Sequence, residues 1–283
     1  MPELPEVETV RRGLASRLQS FVIHDVDVLR DRAVASPGGP HALCLGLQGQ
    51  KVGHWSRRGK YLMAQLHEPQ TGTCNGVWGV HLRMTGQFQW HPTQTDPCRH
   101  TRVRLWNEQG HELRFVDMRS FGEMWFVPQN VPIDSVITGL QRLGPEPFSE
   151  EFNATYLQQK LRGSTRTIKA ALLDQAVVAG AGNIYADESL FASGIAPHRK
   201  AGELRLAELE RLCISLVHVL EISIGAGGTT FSDFRDLEGV NGNYGGQASV
   251  YRRTGQPCLV CGNPIERKRL GGRSSHWCSE CQS

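Results

Sequence analysis

Several features are missing from these 283 residues, and each absence removes a class of answer. No uninterrupted apolar stretch reaches the roughly 20 residues that a membrane-spanning helix needs, so no membrane protein is expected. No basic stretch followed by an apolar run opens the chain, so no secretory signal is expected and the cytosol is the predicted compartment. Net charge is slight, +3 at neutral pH, too little to mark the whole surface as a nucleic-acid binder. The excess is local instead. Residues 251–283 hold six basic and two acidic side chains, so this tail carries +4 and everything before it sums to −1.

What is present is ordinary globular composition, 39% hydrophobic and 21% charged, over a length that two domains of normal size would fill. The eight cysteines do not form a secreted disulfide framework. Cys44 and Cys213 lie among leucines and isoleucine and read as small core residues, while Cys74 and Cys98 fall in predicted loops without an evident partner. The remaining four stand as Cys258-x2-Cys261, sixteen residues, then Cys278-x2-Cys281. Two thiolate pairs, each in a tight turn, fit one tetrahedral structural zinc ion with no coordination position left for catalysis. Such a hairpin would give fixed geometry to Arg267, Lys268, Arg269 and Arg273.

The chain opens Met1-Pro2-Glu3-Leu4-Pro5-Glu6 and then turns helical, with Val7, Val10, Leu14 and Leu18 on one face. Pro5 and the carboxylates Glu6 and Glu8 suit a first helical turn. Removal of Met1 would leave the secondary amine of Pro2 as a nucleophile beside the acid Glu3; solvated charge ahead of a surface helix explains the same residues equally well. From 22 to 128 the pattern is mostly β. Strands are predicted at Val26–Val28, Leu43–Leu47, Lys60–Leu66, 77–82, 86–90, 101–106, 112–117 and 123–127, with a long hairpin loop from His67 to Gly76. Many short strands joined by Gly-rich turns point to a sandwich or flattened barrel. Beyond Pro128 and Pro132 the chain reads helical: 133–143, 150–161 capped by Ser149, 167–175, Asn183–Phe191 and a long helix Gly202–Ile224. Residues 225–250 are glycine-rich and loop-like.

Six motifs in one order resemble the formamidopyrimidine-DNA glycosylase family. They are Pro2-Glu3-Leu4-Pro5-Glu6, Arg57-Arg58-Gly59-Lys60-Tyr61-Leu62, His81-Leu82-Arg83-Met84-Thr85-Gly86, Asp117-Met118-Arg119-Ser120-Phe121-Gly122, Gly182-Asn183-Ile184-Tyr185-Ala186-Asp187-Glu188-Ser189, and Gly272-Arg273. The resemblance implies a multidomain α/β protein: a catalytic β-sandwich domain at 1–130 with an N-terminal helix, a helix-two-turn-helix domain at 131–250, and a zinc β-hairpin at 251–283. It further implies Pro2, Glu3 and Lys60 as catalytic residues, with His81, Met84, Arg119, Phe121, Asn183 and Arg273 on the DNA. Met84 and Phe121 would fill the slot left by a flipped nucleotide, and Arg119 would read the orphaned cytosine. Loop 225–250 would close over the extruded base. The implied activity is excision of oxidised purines from duplex DNA, opposite cytosine, followed by strand cleavage, by a monomer acting on the nucleoid. Met118 and Ser120 depart from the family's proline and second arginine, so one basic contact fewer is expected there. The rivals are an endonuclease-VIII-like enzyme for oxidised pyrimidines, a non-catalytic DNA binder, and a zinc-containing protein-interaction module.

Overall fold

The computed structural model describes residues 1–229 and 236–283. Its chain divides into two compact units, one made of Met1–Gln141 with Gly227–Gly242, the other of Arg142–Ala226 with Asn243–Ser283.

In the first unit, α1 (Leu4–Arg17) precedes β1 (Asp25–Val28), α2 (Gly39–Leu47), β2 (Lys51–Arg58), β3 (Tyr61–His67) and β4 (Cys74–His81). Then follow β5 (Gly86–His91), β6 (Thr101–Trp106), β7 (Glu112–Asp117), β8 (Glu123–Pro128) and the single turn α3 (Ile133–Val136). Two antiparallel four-stranded sheets result, ordered β2-β3-β4-β8 and β1-β6-β7-β5. They share one core, in which Trp55, Leu62 and Trp78 of the first sheet meet Phe88, Val103 and Phe115 of the second. Trp78 and Phe88 pack edge to face across that core at 5.9 Å between centroids. The expected sandwich is therefore present. Its inward stripes follow period-2 alternation, as in β6, where Thr101, Val103 and Leu105 are buried between partly exposed neighbours.

The stretch Leu43–Leu47 is helix α2, not the expected strand. Leu43 and Leu47 are fully buried, while Leu45 is 64% exposed. Leucines at i and i+4 share a helical face and the one between them points away, and over five residues this looks like β alternation. The hairpin loop after β3 is also shorter than expected, because the strands run on to His67 and resume at Cys74.

In the second unit, α4 (Ala154–Leu161), α5 (Ile168–Leu173), α6 (Asn183–Ala192) and α7 (Leu206–Gly225) are joined by the hairpin β9 (Glu266–Leu270) and β10 (Arg273–Trp277). The cap of α4 is Asn153, whose side chain accepts from the Tyr156 N–H, and not Ser149. The segment predicted as one helix from 202 is broken: a 3-10 turn at Ala201–Glu203 precedes α7, whose inner face carries Leu209, Leu212, Leu216 and Leu220. The zinc hairpin packs on the same unit. The Ser283 N–H donates to Gly194, and the Gln282 amide donates to Ile195.

Candidate active site and nucleic-acid interface

At the start of α1, Pro2 and Glu3 are buried. Glu3 is the N-cap, and Glu6 reaches back to accept its backbone N–H at 2.8 Å, closing a capping box. The other oxygen of Glu6 accepts the Thr229 N–H at 2.8 Å. Gly228 (φ +81°) passes so close that a Cβ there would meet Glu6 at 3.1 Å, which explains the glycine. Glu6 thus ties the first turn of α1 to the 227–242 segment. In the sequence Glu6 shows only as a favourable first-turn charge.

Lys60 sits in the two-residue turn between β2 and β3 and is buried. The turn is fastened to α1 through Arg57, which donates to Glu8 at 3.3 Å and to the Gly59 carbonyl at 3.0 Å. Burial alone would raise the pKa of Glu8, but hydrogen bonds from Arg11 and Arg12 and the charge of Arg57 bring it below the ordinary value. The helix that carries Pro2 and Glu3 and the hairpin that carries Lys60 are therefore one charge-linked assembly.

His81 ends β4, packed edge to face on Tyr61 at 4.6 Å. Burial, then the charges of Arg83 and Lys60, push its pKa down to about 3. It is neutral at physiological pH. Its Nδ1 accepts the Arg83 N–H at 3.0 Å, which puts the ring proton on Nε2 as a donor. In the unfolded chain the same histidine titrates near 6.5, so the unfolded state binds more protons between about pH 3 and 6.5. Stability is full above that window and lost as pH falls through it. Denaturant titrations of wild type and His81→Gln should diverge by up to about 1.4 kcal/mol per pH unit below pH 6.5 and run parallel above it. A constant difference across the whole range would contradict a neutral buried His81.

The structure brings Met84, Arg119 and Phe121 together. The Arg119 guanidinium lies 3.0 Å from the Met84 sulfur and 4.8 Å from the Phe121 ring centre. Both apolar side chains are 37% exposed, so neither belongs to the core. What holds them is Asp117, fully buried at the end of β7. Its carboxylate accepts the N–H groups of Arg119, Phe121 and Gly122 at 3.1, 2.8 and 2.7 Å and the hydroxyl of Thr85. That hydroxyl in turn accepts the Arg119 N–H at 3.0 Å, joining the Met84 turn to the Phe121 turn. Arg83 and Ser120 both adopt left-handed conformations (φ +52°), the strain by which the two turns aim their side chains outward. Asp117 opens the motif Asp117–Gly122, but nothing in its sequence context announces this bracing.

In the second unit, Asn183 is the first residue of α6 and Gly182 its N-cap, so Asn183 does not cap the helix. Its side-chain oxygen is buried and has no hydrogen-bond partner among the described residues. Arg273 is exposed at the tip of the zinc hairpin, behind Gly271 and Gly272 (φ +53° and +81°), a two-residue turn only glycines adopt freely. Strand β10 is pinned from below. Lys169 of α5 and Asp187 of α6 form a buried ion pair of 2.6 Å, Lys169 also donates to the Ser274 carbonyl at 2.6 Å, and Asp187 accepts the His276 backbone N–H at 3.0 Å. The four sulfurs of Cys258, Cys261, Cys278 and Cys281 lie within 4.8 Å of one another. Tetrahedral Zn–S bonds of about 2.3 Å require sulfurs roughly 3.8 Å apart. The Cys258–Cys281 and Cys261–Cys278 separations of 3.9 and 3.4 Å fit, so this cluster can coordinate a structural zinc ion. Of the loop expected over the base, 225–250, residues 230–235 lie outside the described residues.

Comparison with known proteins agrees along the whole chain. The profile described as the formamidopyrimidine-DNA glycosylase N-terminal domain matches residues 1–124, that of the family's H2TH domain 143–235, and a zinc finger found in FPG and IleRS 255–283. A formamidopyrimidine-DNA glycosylase of Parasynechococcus marenigrum is 68% identical and one of Prochlorococcus marinus 62%, each covered over 100% of both chains. Among solved structures, a Lactococcus lactis FPG mutant bound to Fapy-dG-containing DNA superposes with a TM-score of 0.90 at 32% identity over 100% of both chains. A Lactococcus lactis complex with abasic-site DNA gives 0.89 over 99% of each chain. The N-terminal proline–glutamate helix, the braced Met–Arg–Phe cluster and the four-cysteine hairpin all sit inside these matches, and the chain belongs to the formamidopyrimidine-DNA glycosylase family.

Proposed function

We propose that this enzyme, a DNA glycosylase and abasic-site lyase by its family, releases oxidised purines paired with cytosine and then cuts the strand. The observation that carries this reading is the exposed Met84–Arg119–Phe121 cluster on its buried Asp117 brace. A chain that only needed to fold would bury two large apolar side chains; holding them outward beside an arginine serves a base stack opened from the side.

Extrusion takes the damaged nucleotide out of the duplex, because C1′ of an internal nucleotide is otherwise out of reach. Once Met1 is removed, the Pro2 amine attacks C1′, the glycosidic bond breaks, and its electron pair leaves with the base, which is protonated. Glu3, beside that amine in sequence, serves as proton shuttle for the sugar ring oxygen. The opened sugar is linked to Pro2 as an iminium ion that serves as electron sink: loss of a C2′ proton expels the 3′ phosphate, and loss of a C4′ proton then expels the 5′ phosphate. An α-amine with a reference pKa of about 7.7–8 keeps a reactive unprotonated fraction at neutral pH. Lys60, Asn183 and Arg273 grip phosphates, and neutral His81 donates from Nε2. The protein acts as a monomer in the cytoplasm, on nucleoid DNA; no helix among the described residues is long and apolar enough to cross a membrane.

Borohydride trapping on a duplex with 8-oxoguanine opposite cytosine tests the reading. A covalent adduct is expected for protein whose N-terminal mass lacks Met1, and far less of it for Pro2→Gly, whose primary amine gives an imine that can lose its charge. Activity with Met1 fully retained would break the mechanism. A damage panel decides the rival: a Lactococcus lactis relative has been solved with DNA containing an oxidised pyrimidine. Preferential release of thymine glycol over 8-oxoguanine would move this chain to pyrimidines.

A further inference from the structure

Ser120 takes the place of a second arginine in the resembled motif, so the Phe121 turn carries one cation fewer. Another part of this chain puts a guanidinium beside it. Arg32 is exposed on the 3-10 turn Asp31–Ala33, and its guanidinium lies 5.4 Å from the Phe121 ring centre. That placement is registered by the backbone. The N–H groups of Leu29 and Arg30 donate to the Arg102 carbonyl at 2.8 and 3.2 Å. The Arg102 guanidinium donates to the Asp117 carbonyl at 2.8 Å, and Asp117 holds the Phe121 turn. Arg32 forms no ion pair among the described residues, which leaves its five N–H donors unspent against an exposed ring. An arginine stacked on an aromatic face loses little freedom and keeps its planar fork open to an anion at the ring edge.

We propose that Arg32 is a DNA-contact residue of this chain, bracing Phe121 through the ring face and donating to a backbone phosphate beside the wedge in place of the arginine missing at 120. The inference rests on the DNA-repair reading above and names a specific contact within it.

The test is binding of the full-length protein to a duplex holding a tetrahydrofuran abasic analogue opposite cytosine, followed by anisotropy from 50 to 200 mM KCl. Loss of one phosphate contact makes the slope of log K against log salt shallower by about 0.9, so the affinity advantage of wild type over Arg32→Ala shrinks by about 3.5-fold across that range. Arg32→Lys keeps the slope because it keeps the charge. Ser120→Arg introduced into Arg32→Ala restores it. A prop with no phosphate contact would leave the slope of Arg32→Ala equal to that of wild type, and this result overturns the proposal, as does failure of Ser120→Arg to restore it. Base release by the wild-type preparation is measured alongside. Protein with an Arg32-dependent slope but no excision retains the contact and sinks the glycosylase reading alone.

Discussion

Glu3→Gln lowers the single-turnover rate of base release by about 10²–10⁴-fold, the usual worth of a positioned general acid–base group. The substitution leaves a side chain of the same shape in a buried position and an acceptor at the N-cap of α1. The Glu3 backbone N–H, accepted by Glu6 at 2.8 Å, is untouched. Folding stability should therefore stay within about 1 kcal/mol of wild type, and the loss should fall on chemistry. Rapid-quench excision of 8-oxoguanine, with affinity measured separately on uncleavable duplex, divides the two. An excision rate within threefold of wild type would remove Glu3 from the proton shuttle, and a fall in affinity equal to the fall in rate would make its role one of binding.

Asp187→Ala destabilises the protein by about 3–5 kcal/mol, because it strands the Lys169 ammonium in the interior. That ammonium is 1% exposed and 2.6 Å from its partner. The His276 N–H, which donates to Asp187 at 3.0 Å, loses its acceptor as well. The double variant Asp187→Ala, Lys169→Met should recover much of the loss, since removing both charges removes the stranded one. Urea denaturation of both variants measures this. A loss below about 1 kcal/mol, or a double variant no better than the single, would show that the pair is not the keystone of β10. Arg273 leads that strand, so with the phosphate contact proposed for it Asp187→Ala should also weaken binding of uncleavable duplex, by a route that touches no nucleotide.

These two cases mark how far the sequence could be read. Glu3 was legible as the residue that opens α1, because the proline, the glutamate and the helix start are contiguous. The four cysteines were legible because their spacing alone states a coordination geometry. Asp187 lies within the motif Gly182–Ser189, yet its work is done against Lys169 and His276, 18 and 89 positions away, and nothing in the motif's spacing encodes that pairing. Asp117 is a similar case, since four of its hydrogen-bond partners come from two different turns. Leu43–Leu47 failed for the opposite reason: a five-residue stretch holds too few turns to separate a period of 2 from one of 3.6, and only burial of Leu43 and Leu47 with Leu45 outside decides it. The cap of α4 moved from Ser149 to Asn153 because both residues are good N-caps and only the helix start separates them.

The segment Gly227–Gly242 belongs to the first unit although the chain on either side belongs to the second, and the Asn243 N–H closes its base on the Ala226 carbonyl at 3.0 Å. It brings Leu237 into the sandwich core against Gly13, and Thr229 onto Glu6. During synthesis, residues 142–226 must leave the ribosome before those contacts can form. At about 5–20 residues per second, that interval is roughly 4–17 s. For that time the nascent sandwich has every strand but lacks the patch that seals its first helix. The first helix thus docks on the strands during translation, before the late-arriving segment ties it down through Glu6 and Gly13.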